Sequence, residues 1–589
     1  MPLVPSAPPG PAARPSLGLP LALLWLAAVL LALTGLGSLP LRDWDEGIVA
    51  RVALELSQGE GGSALLPTFW GGDYLNKPPG LHWLIAGLLV LLRPEAAEVT
   101  AAATGGVPLP PPAWMVRLVP ALLSTLVVPL GGLIQAELRP GRRLPALATA
   151  AVLLCLLPVA RHGRLAMLDG TQLSLIAALW LCLLHLARRP LQSRPALLAG
   201  LAGSGLLLLK APMLLPVLAL GLTGLAIDPR RPLAVRTPAG RPVRAWALRR
   251  WLPLLLAGLL PGLAWHICHA WMRGDGALWL WWGDGAGRVL LETGEGSDLG
   301  WRVPVTEILE GGWPWLALWP FGVLLAWRER DRPSGRWPLL LQFGLAAVIL
   351  PLRTQLPWYG HPLWLPFALL VGPVLAWLID RRCLGDPSTS AAPTAPGAAL
   401  LRRVPLLWAF LGAALMLAGL TALLPIGPAA LLTPYRGVLL MAGAGWCAGG
   451  LLLMRPAPGR RRLGGLAMVA GSGLGLMALM ASPLWLWELN ETWATPPVAA
   501  LTRRWQAQPV SLWQEAERPS LSWYAGQRIR SASDDDDLRT DPQGEAWVLR
   551  RGGDAPGDTE CRWVDGAEGL SLWRCRPEGV GGQALAPGR

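Results

Sequence analysis

The sequence predicts an all-α polytopic membrane protein with about thirteen transmembrane helices, a large first outer loop and a small α/β domain at its C-terminal end. Three observations carry this. Of 589 residues, 53% are hydrophobic and only 15% charged, with a mean hydropathy of +0.41, too little charge to wet a soluble surface. Apolar runs of span length recur from Leu19 to about Trp487. Arginines gather in short clusters between those runs, as cytoplasmic loops do.

The elements follow in order. Residues 1–18 form a Pro-rich cytoplasmic tail, and the apolar run from Leu19 to Leu41 is the first membrane helix, too long for the core of a cleaved signal peptide. Basic clusters recur at Arg139/Arg142/Arg143, Arg188/Arg189/Arg194, Arg230 to Arg250, Arg328 to Arg336, Arg381/Arg382 with Arg402/Arg403, and Arg455 with Arg460 to Arg462. If each is cytoplasmic, two crossings separate neighbours. The apolar segments 117–138, 144–160, 171–187, 196–209, 212–227, 251–271, 307–327, 337–352, 357–379, 404–424, 436–454 and 463–486 supply them. Pro79 to Leu92 is too short to cross and reads as an interfacial helix on the outer leaflet. The transmembrane part is then 19–487, the first outer loop about 42–116, and the tail 488–589 lies outside. In that tail Pro509–Trp513, Leu521–Tyr524, Ala546–Leu549 and Leu570–Trp573 alternate in the manner of a mixed α/β unit. The aspartates at 534–537 read as a solvated loop.

Composition also excludes. A net charge of +13 in a soluble chain would suggest nucleic acid, but here the arginines follow topology, and no zinc-finger or aromatic-basic pattern accompanies them. No Walker-type loop is present for nucleotide hydrolysis. Acids and bases deep within spans, expected of an ion pathway, are nearly absent. Most cysteines sit in apolar runs as small packing residues. Cys561 and Cys575 fall in the polar tail, where export would let them form a disulfide.

The informative polar residues collect on the outer side. RDWDEGIVARVALELSQG opens the first loop, placing Asp43, Asp45 and Glu46 at the membrane surface before an amphipathic helix. A carboxylate there can act as a general base if partial burial tunes it; acids also favour a helix start. Only two lysines occur among 51 basic residues, Lys77 in NKPP and Lys210. Both face outward on this topology, and lysine is a compact charge suited to phosphate. The hinge ARHGRLAMLDGTQL carries Arg161, His162, Arg164 and Asp169, with Asp169 equally readable as a helix N-cap. Outer arginines run against the positive-inside bias, and an anionic ligand is one reason for them. Arg288 is a further phosphate contact. His266 and His269 share a helical face at i, i+3, a metal-ligand spacing that packing histidines also adopt. RTQLPWYGHPLW (353–364) is another outer hinge.

These residues resemble a family. WDEGIVARVALEL, NKPPGLHWLIAGLL, GRLAMLDGTQLSL, LLLLKAPMLLPVL, GRVL and LPWYGHPLWLPFALLVG follow one another as in the bacterial membrane glycosyltransferases of the GT-C fold, related to the protein O-mannosyltransferases and the lipid A aminoarabinose transferase. The likeness covers most of residues 20–380. It implies an inverting enzyme of the inner membrane that moves one sugar from a polyprenyl-phosphate carrier to an extracytoplasmic acceptor: protein, lipid or polysaccharide. Carried over by residue, Asp45 is the favoured catalytic base beside Glu46, with Asp169 supporting it. Lys77, Lys210, Arg288 and Arg164 would meet the lipid phosphate. No cofactor is implied beyond a divalent metal, for which His266 and His269 are the candidates. Two departures stand out. Asn76 occupies a position where the aminoarabinose transferases tend to have glutamate, and Gln355 one where relatives often have a basic residue.

Two other classes compete. A transporter or flippase for lipid or polysaccharide would show related halves and broken helices, and no clear internal repeat is visible. A non-catalytic assembly factor would use the C-terminal tail as its binding module.

Overall fold

The structure is a computed structural model that describes residues 16–59, 64–92, 110–230, 243–282, 287, 300–353, 355–384, 397–424, 427–486, 493–557 and 560–576. The chain runs α1 (Gly18–Leu33), α2 (Asp45–Gln58), a short hairpin β1–β2 (Thr68–Phe69, Gly72–Asp73) and α3 (Gly80–Leu91). Then come α4 (Ala113–Thr125), α5 (Val127–Leu138), α6 (Arg143–Leu154), α7 (Leu157–Gly163), α8 (Leu168–Arg188), α9 (Arg194–Lys210), α10 (Leu214–Ile227) and α11 (Val243–Arg273). The helical part closes with α12 (Arg302–Gly311), α13 (Trp319–Arg328), α14 (Pro333–Ile349), α15 (Trp364–Ile379), α16 (Val404–Thr421), α17 (Arg436–Leu453) and α18 (Pro458–Met480). The C-terminal unit is α19 (Thr495–Arg504), β3 (Val510–Trp513), α20 (Pro519–Ala525), β4 (Arg530–Ala532), β5 (Ala546–Arg551), β6 (Glu560–Ala567) and β7 (Leu570–Arg576).

Among the described residues, eight helical stretches are long and apolar enough to cross a membrane, ten if each of two bent pairs is one crossing. The chain is a multi-pass membrane protein, but the expected thirteen helices are not reached on length and composition. The reasons are local. The run from Leu19 to Leu41 is not one helix: α1 ends after 16 residues, and Gly35 turns with φ +60 so close to α18 that a Cβ would meet the Met480 carbonyl. The α6–α7 pair bends by 58° and α12–α13 by 101°, the latter at Gly311, Gly312 and Pro314, where glycine is a poor helix former and proline has no amide hydrogen to donate. One of the eight stretches, 194–227, folds back on itself. Gly205 lies against Leu175 and Gly203 against Leu179, so α9 runs antiparallel to α8. Val217 instead meets Trp180 and Gly221 meets Leu183, so α10 runs parallel to α8. The turn between α9 and α10 is Lys210 to Met213.

The core is centred on α15, every residue of which is buried. Glycine permits the closest approach: a Cβ on Gly372 would collide with Thr149 of α6. One end of the bundle is belted by the expected basic clusters. Arg139 pairs with Glu329 at 2.5 Å, Arg188 with Glu137 at 3.0 Å, and Arg230 with Asp228 at 2.7 Å. The other end carries the α8 start and the α9–α10 turn, with α2, the hairpin and α3 packed there. α3 has 12 residues, too short to cross, and shares an apolar cluster with α2 and α4.

The C-terminal unit is a five-stranded mixed sheet in the order β4-β3-β5-β7-β6, with β3 parallel to β4 and β5 and the other pairs antiparallel. Pro509–Trp513, Ala546–Leu549 and Leu570–Trp573 fall in strands, whereas Leu521–Tyr524 lies in helix α20. Pro519 at the helix start and Gly526, in a left-handed C-cap conformation, bound that short turn as a helix despite its apolar alternation. Cys561 and Cys575 are opposite each other on β6 and β7 and form a disulfide. The aspartates at 534–537 make an exposed turn in which the Asp534 carboxylate accepts the Asp537 N–H.

Candidate active site

The site is built on the first residues of α2. Three carboxylates within four positions, Asp43, Asp45 and Glu46, have three different fates. Glu46 is fully buried and receives four donors: Arg117 Nε at 2.8 Å and Nη2 at 2.6 Å, and the amides of Ala166 and Arg42, each at 2.7 Å. Burial alone would raise its pKa. The Arg117 charge, with the bonds from Arg117, Ala166 and Arg42, holds it below the ordinary glutamate value. Arg117 in turn donates to the carbonyls of Leu36, Leu39 and Pro40, so the pair staples the α1–α2 connection to α4.

Asp43 faces the other way. It pairs with Arg518 of the C-terminal unit and accepts from the Ser520 amide at 3.0 Å and hydroxyl at 2.8 Å. Between the two anchored acids Trp44 takes φ 57. Gly47 lies so close to α20 that a Cβ there would stand 2.6 Å from the Ser520 nitrogen.

Asp45 is the remaining carboxylate. It is half-buried and makes no hydrogen bond among the described residues. Burial raises its pKa most, Asp169 raises it further, and Arg42, Lys77 and Lys210 oppose the rise. The same interactions show which groups converge on it. Asp169, at the first turn of α8, stands 3.6 Å from Lys210 Nζ at the end of α9. Lys77 reaches in from the NKPP segment that starts α3. Two lysines, two aspartates and Arg42 thus meet from four separate stretches of chain.

An aromatic wall closes this cluster. The turn Pro357–Leu363 sets the Trp358 ring 4.6 Å from the Arg42 guanidinium carbon and the Tyr359 ring 4.7 Å from Lys210 Nζ, both in cation–π range. Tyr74 is buried close to Asp45; burial, then the Asp45 charge, push its hydroxyl pKa up, so it stays a neutral donor. Its ring packs edge-on against His82 at 5.5 Å. Behind the wall His361 and His162 meet edge-on at 5.7 Å, and Arg161 lies 3.1 Å from His162 Nε2.

Asp45, Asp169, Lys77 and Lys210 therefore come together. Arg164 does not join them: it is buried 4.2 Å from the Trp485 ring, donating to the Thr34 carbonyl at 2.5 Å, on the Glu46–Arg117 side. Gln355 spends its amide nitrogen on the carbonyls of Ile349 and Leu352 at 2.7 and 2.9 Å, finishing α14 rather than facing the cluster. Arg288 lies outside the described residues. His266 is 3.1 Å from the Leu207 carbonyl, and His269 stacks on Trp265 at 4.7 Å. Among the described residues no group of three or more His, Cys, Asp or Glu side chains is placed to hold a metal.

The sequence reading passed over Arg42, Tyr74, Trp358, Tyr359, Arg117 and Arg518. Arg117 had a signal, being an arginine within an apolar run. The 357–363 hinge was singled out without assigning its aromatic residues. Nothing local marked Arg518.

No family model matches the sequence, and no characterised protein sequence does. In three dimensions the chain is similar to the crystal structure of ArnT from Cupriavidus metallidurans bound to undecaprenyl phosphate. The TM-score is 0.64 at 15% identity, covering 94% of this chain and 97% of that one. The apo form of ArnT gives 0.64 at 15% identity, over 95% and 98%. The archaeal oligosaccharyltransferase AglB from Archaeoglobus fulgidus, in complex with an inhibitory peptide and a dolichol-phosphate, is far looser at 0.40 and 10% identity, over 91% and 69%. The chain has the GT-C fold that its motifs led one to expect.

Proposed function

We propose that this chain is an inverting glycosyltransferase that takes one sugar from a polyprenyl-phosphate carrier and places it on an acceptor outside the cytoplasmic membrane. The observation that carries the reading is the convergence of half-buried Asp45 with Asp169 and the chain's two lysines at one end of a GT-C bundle. The undecaprenyl phosphate of ArnT supports a carrier of this class. The basic belt at the opposite end supports a cytoplasmic side there, and the Cys561–Cys575 disulfide supports an oxidising compartment for the C-terminal unit.

The chemistry follows from the charges. The acceptor nucleophile attacks the anomeric carbon, the bond from that carbon to the phosphate oxygen breaks, and the acceptor proton passes to the Asp45 carboxylate. Lys77 and Lys210 stabilise the charge gathering on the departing lipid phosphate. A bound phosphate offsets the two lysines that hold the Asp45 pKa down, so donor binding strengthens the base. Asp169 orients Lys210 and sustains the raised pKa of Asp45. Glu46, saturated by its four donors, holds the turn that presents Asp45. The sugar–phosphate bond is already activated, and no nucleotide is consumed. The sugar is a hexose or pentose, and the acceptor is protein, lipid or polysaccharide.

Mass spectrometry of envelope lipids and glycoproteins, with and without the protein, identifies the product. Asp45→Asn at unchanged protein level should lower its formation by about 10²–10⁴-fold, the range for removing a positioned general base. Full retention of transfer in that variant would refute the assignment. Lipid-linked sugar left on the wrong side of the membrane in a deletion strain would favour a flippase instead.

A further inference from the structure

The C-terminal unit is joined to the active-site loop by more than its covalent link. Asp43 accepts from the Arg518 guanidinium and from the Ser520 amide and hydroxyl. Arg518 is held in turn by the Trp493 carbonyl at 3.1 Å and lies over the Trp493 ring at 4.1 Å. One turn away the Leu41 amide donates to the Tyr524 hydroxyl at 2.7 Å. Trp523 is buried in the same apolar cluster as Leu41, Val49, Ile85 and Val116. Asp43 and Arg518 are almost wholly shielded from solvent, so their attraction is little screened by salt.

Trp44 gives these contacts their meaning. A tryptophan at φ 57 is in a conformation that L side chains rarely adopt, and it persists only where its surroundings over-determine it. Here the membrane part anchors one side through Glu46, and the C-terminal unit anchors the other through Asp43. The residue aimed by this turn is Asp45, which has no hydrogen bond of its own among the described residues to fix it.

We propose that the C-terminal domain is a positioning element of the active site, with Arg518 and Ser520 acting through Asp43 to hold the Trp44 turn that directs Asp45. This rests on Asp45 being the base. The domain need not touch donor or acceptor to act in this way. Its effect is on the geometry of the reacting carboxylate, not on the affinity for the lipid carrier.

The test uses the full-length protein. R518A, R518K and the double variant D43N/R518M are compared with wild type and D45N. Product is read by the envelope mass spectrometry above, and undecaprenyl phosphate binding is measured on purified protein in nanodiscs. R518A should slow transfer by about 100-fold per folded molecule, the scale of an ångström of misplacement, with undecaprenyl phosphate affinity unchanged. R518K, which keeps the charge but not the fork, should recover part of the rate. If R518A accumulates poorly, D43N/R518M leaves no lone buried charge and should fold while remaining slow. Wild-type transfer by either variant would overturn the clamp alone, as would a loss of undecaprenyl phosphate binding in proportion to the rate. Wild-type protein that makes no product would overturn the reading of Asp45 and the clamp with it.

Discussion

Replacing Arg117 of α4 with glutamine should be among the most damaging single changes beside the first outer loop, although Arg117 is not one of the residues that meet at Asp45. Neither Arg117 nor Glu46 keeps any exposed side-chain surface. Arg117 makes five hydrogen bonds, two to Glu46 and three to carbonyls of the α1–α2 connection. Arg117→Gln leaves the Glu46 charge buried without its partner, a change that costs about 3–5 kcal/mol. Glu46→Gln is milder, about 1.5–3 kcal/mol for the lost charge-assisted bonds, because Arg117 keeps its three carbonyls. The double variant removes both charges, so its cost should fall short of the sum by about 1 kcal/mol or more. Equilibrium unfolding in mixed micelles, followed by the fluorescence of the 33 tryptophans, reads all four proteins. The pH dependence gives a second arm. The Glu46 pKa is lowered from its ordinary 4.5, so its stabilisation is fully present above that value and is lost as pH falls through the folded-state pKa. The gap between wild type and Glu46→Gln should hold steady at neutral pH and close in acid. Additive costs, or a gap indifferent to acid, would refute the buried pair.

Asp45 should behave in the opposite sense. Its pKa is raised from 3.8, so the ionised form costs the folded state stability at neutral pH; Asp45→Asn should be inactive yet more stable, with the gain vanishing below about pH 3.8 in the same unfolding assay. Transfer by the wild type should fall as pH drops through that raised pKa, above the range of an ordinary aspartate, which a pH–rate profile checks. Gln355→Ala should destabilise by about 1–3 kcal/mol by removing the bonds from its amide nitrogen to the Ile349 and Leu352 carbonyls while leaving undecaprenyl phosphate affinity intact; a selective loss of affinity would return Gln355 to the binding site. Replacing both Cys561 and Cys575 with serine opens a bridge of sequence separation 14 and should cost the C-terminal unit about 3 kcal/mol, visible as increased protease sensitivity confined to that unit.

Much of the architecture was legible in the residues. Hydropathy and the arginine clusters located most apolar helices, and Pro79–Leu92 forms the short helix α3. Thirteen helices are not confirmed on length and composition among the described residues, because an apolar run reports solvent, not continuity. Nothing in Leu19–Leu41 announces that Gly35 must turn beneath Met480. Leu521–Tyr524 likewise alternates like a strand, but Pro519 and Gly526 bound it into a short helix of 7 residues.

By itself the sequence determined that this chain lives in a bilayer, and it marked Asp45, Asp169, Lys77 and Lys210 as charges worth explaining. Composition and spacing are local quantities, and they suffice where the physics is local: transfer to lipid, the length of a span, the bias of a loop. Which carboxylate is left available was decided only by the tertiary structure. Asp43, Asp45 and Glu46 are near-equivalent in sequence, yet Arg518 takes the first and Arg117 the third. The donors that saturate those two come from positions 71 and 475 residues away. A buried charge must be paired, and the fold met that demand for the two acids flanking Asp45, whose carboxylate keeps no hydrogen bond among the described residues.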